Sequence, residues 1–358
     1  MNGLLVQVPV IGLGWEQFAV LLIAALAGGA FGAALGALPS FIFTGFVVFL
    51  GEGLGILQRQ LGGLDAIPVG EIATGVTGTI GFGMVTGPHV AFAGGVAATA
   101  YAGKRYPEME PDGWDFHFGK NIGYAFGTKP DILAVGAVFG ALGMLVTRVA
   151  SGVGVPTDNI ALSVVATAFV ARLAFGYPLV GKVAGTNVLD MTPFERDEKR
   201  PLPDGGAEPS ARLAIEPWLP HQYKWSGVAT VGVVAGILSG FIWLKTGSIF
   251  LGYAISAMSL LFLNLGVEKI PVTHHMTLLG SVGAIVAMPV VGSDPVVLLV
   301  AGAFGGLSGL LGELTQRVFY SHSGTHVDPP AMAIMLMMLL VGVLSLAGVL
   351  PNAGYLSL

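Results

Sequence analysis

Two groups of titratable residues lie inside apolar blocks of the sequence, each a few positions after a proline. Glu71 follows Pro68, and the adjacent histidines His274 and His275 follow Pro271. Carboxylates and imidazoles are costly inside a membrane span, so they typically mark a substrate or ion path or a proton relay. The sequence therefore predicts a polar path in which these groups contact a small solute or carry a coupling proton.

Three prolines predict breaks in the helices that carry these groups. Proline lacks a backbone N–H and disfavours helix in the residue before it. Unpaired peptide groups at membrane depth are tolerated only where the backbone is buried in protein or lines a cavity. The predicted breaks are at Pro68, Pro88 and Pro271, and the predicted path contains Glu71, His89, Thr273, His274, His275 and Glu313.

An alternative interpretation places these residues at helix starts on the membrane surface, where proline fits the first turn and Glu71 favours the positive helix end. Glu313 also allows two interpretations, because it either pairs with a site histidine or lies near the helix end beside Arg317. His274 and His275 are about 100° apart on a helix. At most one of them is therefore expected to point into the path.

The segment 322–330 contains the side-chain types of a metal site. His322 and His326 are four residues apart and Asp328 follows, which suits a divalent ion if the segment is helical. Gly324 and the proline pair after Asp328 instead favour a loop, with Asp328 as the N-cap of the last helix. These three residues are candidate metal ligands, and no cofactor is predicted.

Membrane-spanning helices must position all of these residues. Apolar residues make up 54% of the 358 positions, charged residues 10%, and the mean hydropathy is +0.79, whereas soluble domains contain about 25% charged residues. The apolar runs are continuous and lack the alternation of a lipid-facing β-strand. Because one span needs about 20 apolar residues, the sequence predicts an all-α polytopic membrane protein with about 10–11 transmembrane or re-entrant helices. The predicted segments are 17–37, 40–55, 67–86, 88–102, 131–150, 158–177, 226–244, 248–266, 270–290, 294–315 and 328–349.

The two halves of the chain share the order of their motifs. Ile67-Pro68-Val69 resembles Ile270-Pro271-Val272, and the spacing Gly28-x3-Gly32-x3-Gly36 resembles Gly236-x3-Gly240. Small residues at this spacing let membrane helices approach closely. The sequence therefore predicts two five-helix repeats.

This repeat divides the chain into three predicted parts. Residues 1–178 form the first repeat with an inserted element at 88–130, residues 179–225 form a cytoplasmic linker, and residues 226–358 form the second repeat. Five spans reverse the direction of the chain across the membrane. The second repeat is therefore predicted to be inverted, as in many secondary transporters.

Lysine and arginine positions predict the orientation in the membrane. With ten spans, 13 of the 16 Lys and Arg residues share one side with the loops 103–130 and 178–225. Cytoplasmic loops carry the excess of these residues, so both loops are predicted to be cytoplasmic, in the plasma (inner) membrane. The net charge of -5 argues against a nucleic-acid partner.

These features favour a membrane permease or channel for a small polar solute or ion, with the path between two inverted repeats. The predicted partners are the lipid bilayer, the solute, and a second copy or a partner membrane subunit. Two alternatives remain open: an intramembrane enzyme that modifies a lipid, with the histidines and Glu71 as acid–base groups, and a non-catalytic membrane subunit of a larger complex. No nucleotide-binding or hydrolase motif is found in the sequence.

Overall fold

The computed structural model describes residues 7–61, 74–201 and 209–358, and nearly all of their regular secondary structure is helical. Within these ranges, seven helices are long and apolar enough to cross a membrane. They are α1 (Trp15–Leu35), α2 (Ala37–Leu61), α4 (Pro130–Gly152), α7 (Trp225–Thr246), α9 (His274–Val291), α10 (Asp294–Thr315) and α11 (Pro329–Leu346). The predictions of an all-α chain and of helices suited to a membrane are confirmed.

Shorter elements complete the described part of the chain. They are α3 (Ala93–Arg105), α5 (Asn159–Ala174), α6 (Thr192–Glu195), α8 (Leu251–Asn264) and the hairpin β1 (Lys199–Pro201) with β2 (Pro209–Leu213). The π-helical turn Pro88–Phe92 leads directly into α3, and a second π-helix covers Thr74–Gly81. The predicted helix 67–86 is therefore a π-helix followed by turns in its described part. Pro68 and Glu71 lie outside the described residues.

Glycines let α1, α3 and α4 pack with their backbones in contact. A Cβ added to Gly29 would meet the carbonyl oxygen of Gly136 and the Cα of Gly140. A Cβ added to Gly94 on α3 would meet the backbone of Gly29. Because lipid is as apolar as the helix surfaces, such close contact provides much of the attraction between membrane helices.

The helices α7, α9 and α10 pack in the same manner. A Cβ added to Gly236 would meet the carbonyl oxygen of Ala301, and one added to Gly280 on α9 would meet the backbone of Gly236. Gly305 on α10 lies in equally close contact with Gly232. The small-residue spacing in the sequence therefore lies at the helix contacts.

The long connections meet at one end of the helices. The N–H of Leu213 donates to the carbonyl of Asp115 (3.3 Å), and the N–H of Glu216 donates to the carbonyl of Ser321 (3.0 Å). Residues 213–217 are buried, as are residues 321–330 apart from the half-buried Gly324. Charge and proline content suggest that the loop 178–225 is solvated, but part of it packs because its polar groups find partners in other loops.

Candidate functional site

A cavity of about 540 Å³ lies among helices from both halves of the chain. This volume is within the range of about 300–1,000 Å³ that is typical of small-molecule sites. Apolar and aromatic side chains form most of the wall. The polar side chains on the wall include Thr147, Thr157, Asp158, Asn159, Tyr253, His274, Asp328 and Tyr355.

Two aspartates at helix starts reach this cavity. Asp158 accepts a hydrogen bond from the N–H of Ala161 (2.8 Å) at the start of α5, and Asp328 accepts one from the N–H of Ala331 (2.8 Å) at the start of α11. Such N-caps satisfy otherwise unpaired N–H groups, and a carboxylate also favours the positive end of the helix. Each aspartate is therefore held in place by its own helix.

The second carboxylate oxygen of each aspartate has a different kind of partner. The Tyr355 hydroxyl donates to Asp158 Oδ2 over 2.6 Å, so residues after α11 contact the start of α5. His326 Nε2 lies 3.0 Å from Asp328 Oδ1, within the connection that leads into α11. Both carboxylates therefore stay polar and oriented at the edge of an apolar cavity.

Of the residues predicted for the path, His274 lies on the cavity wall, and so does Pro88, one of the predicted helix breaks. The His274 ring packs against the ring of Phe41 (centroids 4.7 Å apart) and the edge of Tyr253 (5.7 Å). His274 is 6% exposed, and neither ring nitrogen forms a hydrogen bond within the described residues. A neutral imidazole offers one donor and one acceptor, so this ring has unused capacity for a ligand.

His89 and His275 are buried beside the cavity. They are 2% and 1% exposed, and Nδ1 of each ring has no partner in the described part of the chain. His275 adjoins a small void shared with Glu313 and Gln222. Of the adjacent pair His274 and His275, only the first contacts the main cavity.

The remaining predicted residues occupy separate places. The Thr273 hydroxyl is hydrogen-bonded to that of Ser256 (2.6 Å), and Pro271 is exposed in the connection that precedes α9. Glu313 accepts hydrogen bonds from Arg317 Nε (2.5 Å) and Gln316 Nε2 (3.0 Å). Of the two interpretations of Glu313, pairing with Arg317 is therefore the observed one.

The three candidate metal ligands are not assembled around one point. His326 pairs with Asp328, whereas His322 Nε2 contacts the carbonyl oxygen of Val188 (3.0 Å). Among the described residues, no group of three or more His, Cys, Asp or Glu side chains could hold a metal ion. The loop that contains them is buried and polar, and its histidines interact with other protein groups.

Sequence reasoning did not place Asp158, Tyr253, Tyr355 or Glu52 among the site residues. Asp158 could be recognised as a helix cap, but its position on a cavity depends on tertiary packing. Glu52 lies within the predicted segment 40–55 and accepts hydrogen bonds from Ser248 (2.6 Å) and Thr77 (3.1 Å). A carboxylate inside an apolar block was the signal that could have identified it.

The loops between α3 and α4 and between α5 and α7 form a layer outside the helices, which is called the loop layer below. A charged cluster lies at its centre. Glu216 Oε2 lies 2.8 Å from Lys120 Nζ, and Glu216 Oε1 lies 2.5 Å from Arg212 Nη2. Burial raises the pKa of Glu216, but the cations of Lys120, Arg212 and Arg200 outweigh it, so its pKa lies well below the usual value. Burial lowers the pKa of Lys120 to about 7. The pair links the loop before α4 to the loop before α7.

Comparison with known proteins places residues 10–358 in a family of unknown function (DUF7973). No curated protein and no solved structure matches the chain. The match covers both groups of glycine-packed helices and every described residue of the cavity. The chain therefore belongs to the DUF7973 family, whose function is unknown.

Proposed function

We propose that this protein is a membrane permease or channel for a small solute, and that the solute passes through the cavity between two inverted halves. The observation that carries the proposal is the cavity itself. Its wall combines Phe41 and Phe92 from the first half with Tyr253, Leu278 and Ile334 from the second. A path between repeats, with helix starts at its centre, is typical of secondary transporters.

The glycine contacts support two structurally equivalent halves. Gly29, Gly94 and Gly140 pack together in the first half, and Gly236, Gly280 and Gly305 pack in the same relation in the second. This correspondence pairs α3 with α9, and thus His89 with His275. The segment that ends at Arg105, rather than segment 67–86, is then the counterpart of α9.

The loop contacts support an inverted arrangement of these halves. The C-terminal end of α1 meets the loop before α4, since the N–H of Gly127 donates to the carbonyl of Ala34 (3.1 Å). The N-terminal end of α7 meets the end of α10, since Arg317 Nη2 donates to the carbonyl of Tyr223 (2.8 Å). The equivalent helices α1 and α7 therefore bring opposite ends to the same loop layer. The excess of Lys and Arg predicts that this layer is cytoplasmic.

The composition of the wall favours transport over the two alternative functions. Among the described residues of the cavity wall, none is a lysine or an arginine, and these are the residues that usually bind a lipid phosphate. A subunit that only packs against partners needs no internal cavity. A solute smaller than a lipid is the simplest occupant of this volume.

Cysteine labelling tests the path, because the chain contains no cysteine of its own. Ala161→Cys and Ala331→Cys place thiols on the cavity wall, and we expect a membrane-impermeant maleimide to label both in sealed vesicles. The matched control is Leu299→Cys, at a side chain 68% exposed on α10 and expected to face lipid. It should react only after detergent denaturation.

Vesicles of opposite orientation show whether the cavity opens to each side. Labelling of the two cavity cysteines from either face is the expected result for a permease that alternates between states. If both stay unreactive in intact vesicles while the denatured proteins react fully, the cavity is closed to water and the proposal is wrong.

A further inference from the structure

The cavity has two carboxylates in its wall that have no lysine or arginine partner. Asp158 and Asp328 both line it, and in the described part of the chain neither forms an ion pair with a lysine or an arginine. Their partners are backbone N–H groups, a tyrosine hydroxyl and the imidazole of His326. Asp328 is buried and Asp158 is half-buried. A carboxylate withdrawn from bulk water is costly without a counter-charge, so a bound cation would stabilise this arrangement.

Aromatic rings surround the same space. The ring centroid of Phe41 lies 6.0 Å from that of Phe92 and 6.0 Å from that of Tyr253, and 4.7 Å from that of His274. All four residues line the cavity. Aromatic faces attract cations, and desolvated quaternary ammonium groups are bound by such rings.

Unused polar capacity lies next to these rings. His274 has no hydrogen bond at either ring nitrogen, and the Tyr253 hydroxyl has none among the described residues, although both are more than nine-tenths buried. The buried Nδ1 of His274 without a partner requires an explanation, and a bound amine with an N–H group would supply one.

We propose that the cavity selects small organic monocations, namely amines or quaternary ammonium compounds with an apolar body. This inference rests on the proposed function and names its substrate class. The carboxylates of Asp158 and Asp328 disfavour an anion. Hard metal cations need many oxygen ligands: Ca²⁺ takes six to eight, and Mg²⁺ takes a near-octahedral set. The mostly apolar wall provides few such oxygen atoms.

A set of three isosteric probes tests the charge requirement on the purified full-length protein. The cation is benzyltrimethylammonium, the neutral isostere is neopentylbenzene, and the anion is phenylmethanesulfonate. Binding is followed by calorimetry and by the change in tryptophan fluorescence, to which Trp218 on the cavity wall contributes. We expect the cation to bind at least about tenfold more tightly than the neutral isostere, and the anion to give no signal.

Three aspartate variants locate the site. Asp158→Asn and Asp328→Asn keep a good helix cap because asparagine is an equally preferred N-cap residue. Each should weaken cation binding by about tenfold, since it removes one negative charge from a wall of low dielectric constant beside the bound cation. The matched control is Asp294→Asn, which removes an exposed carboxylate at the start of α10 and should leave binding unchanged.

A variant of the aromatic wall gives a second readout that is independent of the caps. Phe41→Leu keeps an apolar side chain but removes the aromatic face, so the preference for the cation over the neutral isostere should fall. Equal binding of the cation and the neutral isostere, or full cation affinity in both Asp158→Asn and Asp328→Asn, would overturn the proposal. Cysteine labelling in vesicles requires no ligand, so it can succeed where cation binding fails.

Discussion

The helices α5 and α11 both start at the cavity with an aspartate cap, yet the chain around the two starts differs. The connection before α11 is buried, and its polar groups are bound by residues from elsewhere in the chain. Residues 151–154 before α5 are exposed. From outside this segment, the start of α5 is held by hydrogen bonds from the Tyr355 hydroxyl to Asp158 (2.6 Å) and from the Thr157 hydroxyl to the carbonyl of Met335 (2.6 Å). Two helix starts with the same kind of cap therefore follow chain segments that differ in burial.

The side chain of Arg172 provides several of the contacts that hold the buried connection before α11. This side chain from the end of α5 is fully buried, and it donates to Thr325 Oγ1 (2.7 Å), to Ser323 Oγ (2.8 Å) and to the carbonyl of Leu179 (2.7 Å). It thereby joins the first half to the loop before α11. If the cavity is a solute path as proposed, we expect it to open more easily beside Tyr355 than beside Arg172.

Arg172→Met should have the largest effect on this comparison. Methionine fills a similar space but leaves several buried acceptors without donors, and each such group costs about 1–3 kcal/mol. We expect a loss of about 3–5 kcal/mol of stability, measured as a lower thermal midpoint of the detergent-solubilised protein. Arg196→Met is the control, because Arg196 is 72% exposed and should change the midpoint little. An unchanged midpoint for Arg172→Met would contradict the proposed difference between the starts of α5 and α11.

Glu216→Gln should have the next largest effect, about 3 kcal/mol, because it leaves Lys120 buried without its counter-charge. The pKa of Glu216 is lowered on folding, so the stabilisation is complete above the ordinary carboxyl pKa and is lost as the pH falls through the folded-state pKa. The difference in thermal midpoint between wild type and Glu216→Gln should therefore shrink on acidification. Glu198→Gln, at a half-exposed ion pair, is the control. A difference that stays constant down to strongly acidic pH would argue against an ionised Glu216 in this network.

Tyr355→Phe should have the smallest effect on stability, about 1 kcal/mol, because it removes a single hydrogen bond. In the Ala161→Cys background, we expect maleimide labelling from the Tyr355 side to become about fivefold faster, with no change from the side of the loop layer. Tyr106→Phe, which removes a tyrosine–aspartate bond outside the cavity wall, is the control. Equal acceleration from both faces would show that Tyr355 does not close one side alone.

The class of fold could be predicted from the sequence because the patterns that determine it act over short distances along the chain. Continuous apolar runs, small-residue spacing and capping residues such as Asp328 act within one helix or between neighbouring helices. The positions of individual polar groups were less predictable. Pro271 was interpreted as a break in a helix, but α9 begins only after it. The side chains of Gln222 and His221 are hydrogen-bonded to backbone groups of the connection on either side of Pro271, so this connection does not need to be helical.

The sequence by itself determined that the chain is a set of apolar helices with glycine contact faces and aspartate caps. It also determined that His274 and His275 point in different directions, because adjacent residues on a helix diverge by about 100°. Tertiary structure decided that His274 contacts the cavity and that His275 adjoins Glu313, because the rotation of α9 depends on its contacts with α7, α8 and α10. It also decided that Glu216 is buried among cations, since those cations come from residues distant in the chain and meet only in the folded loop layer.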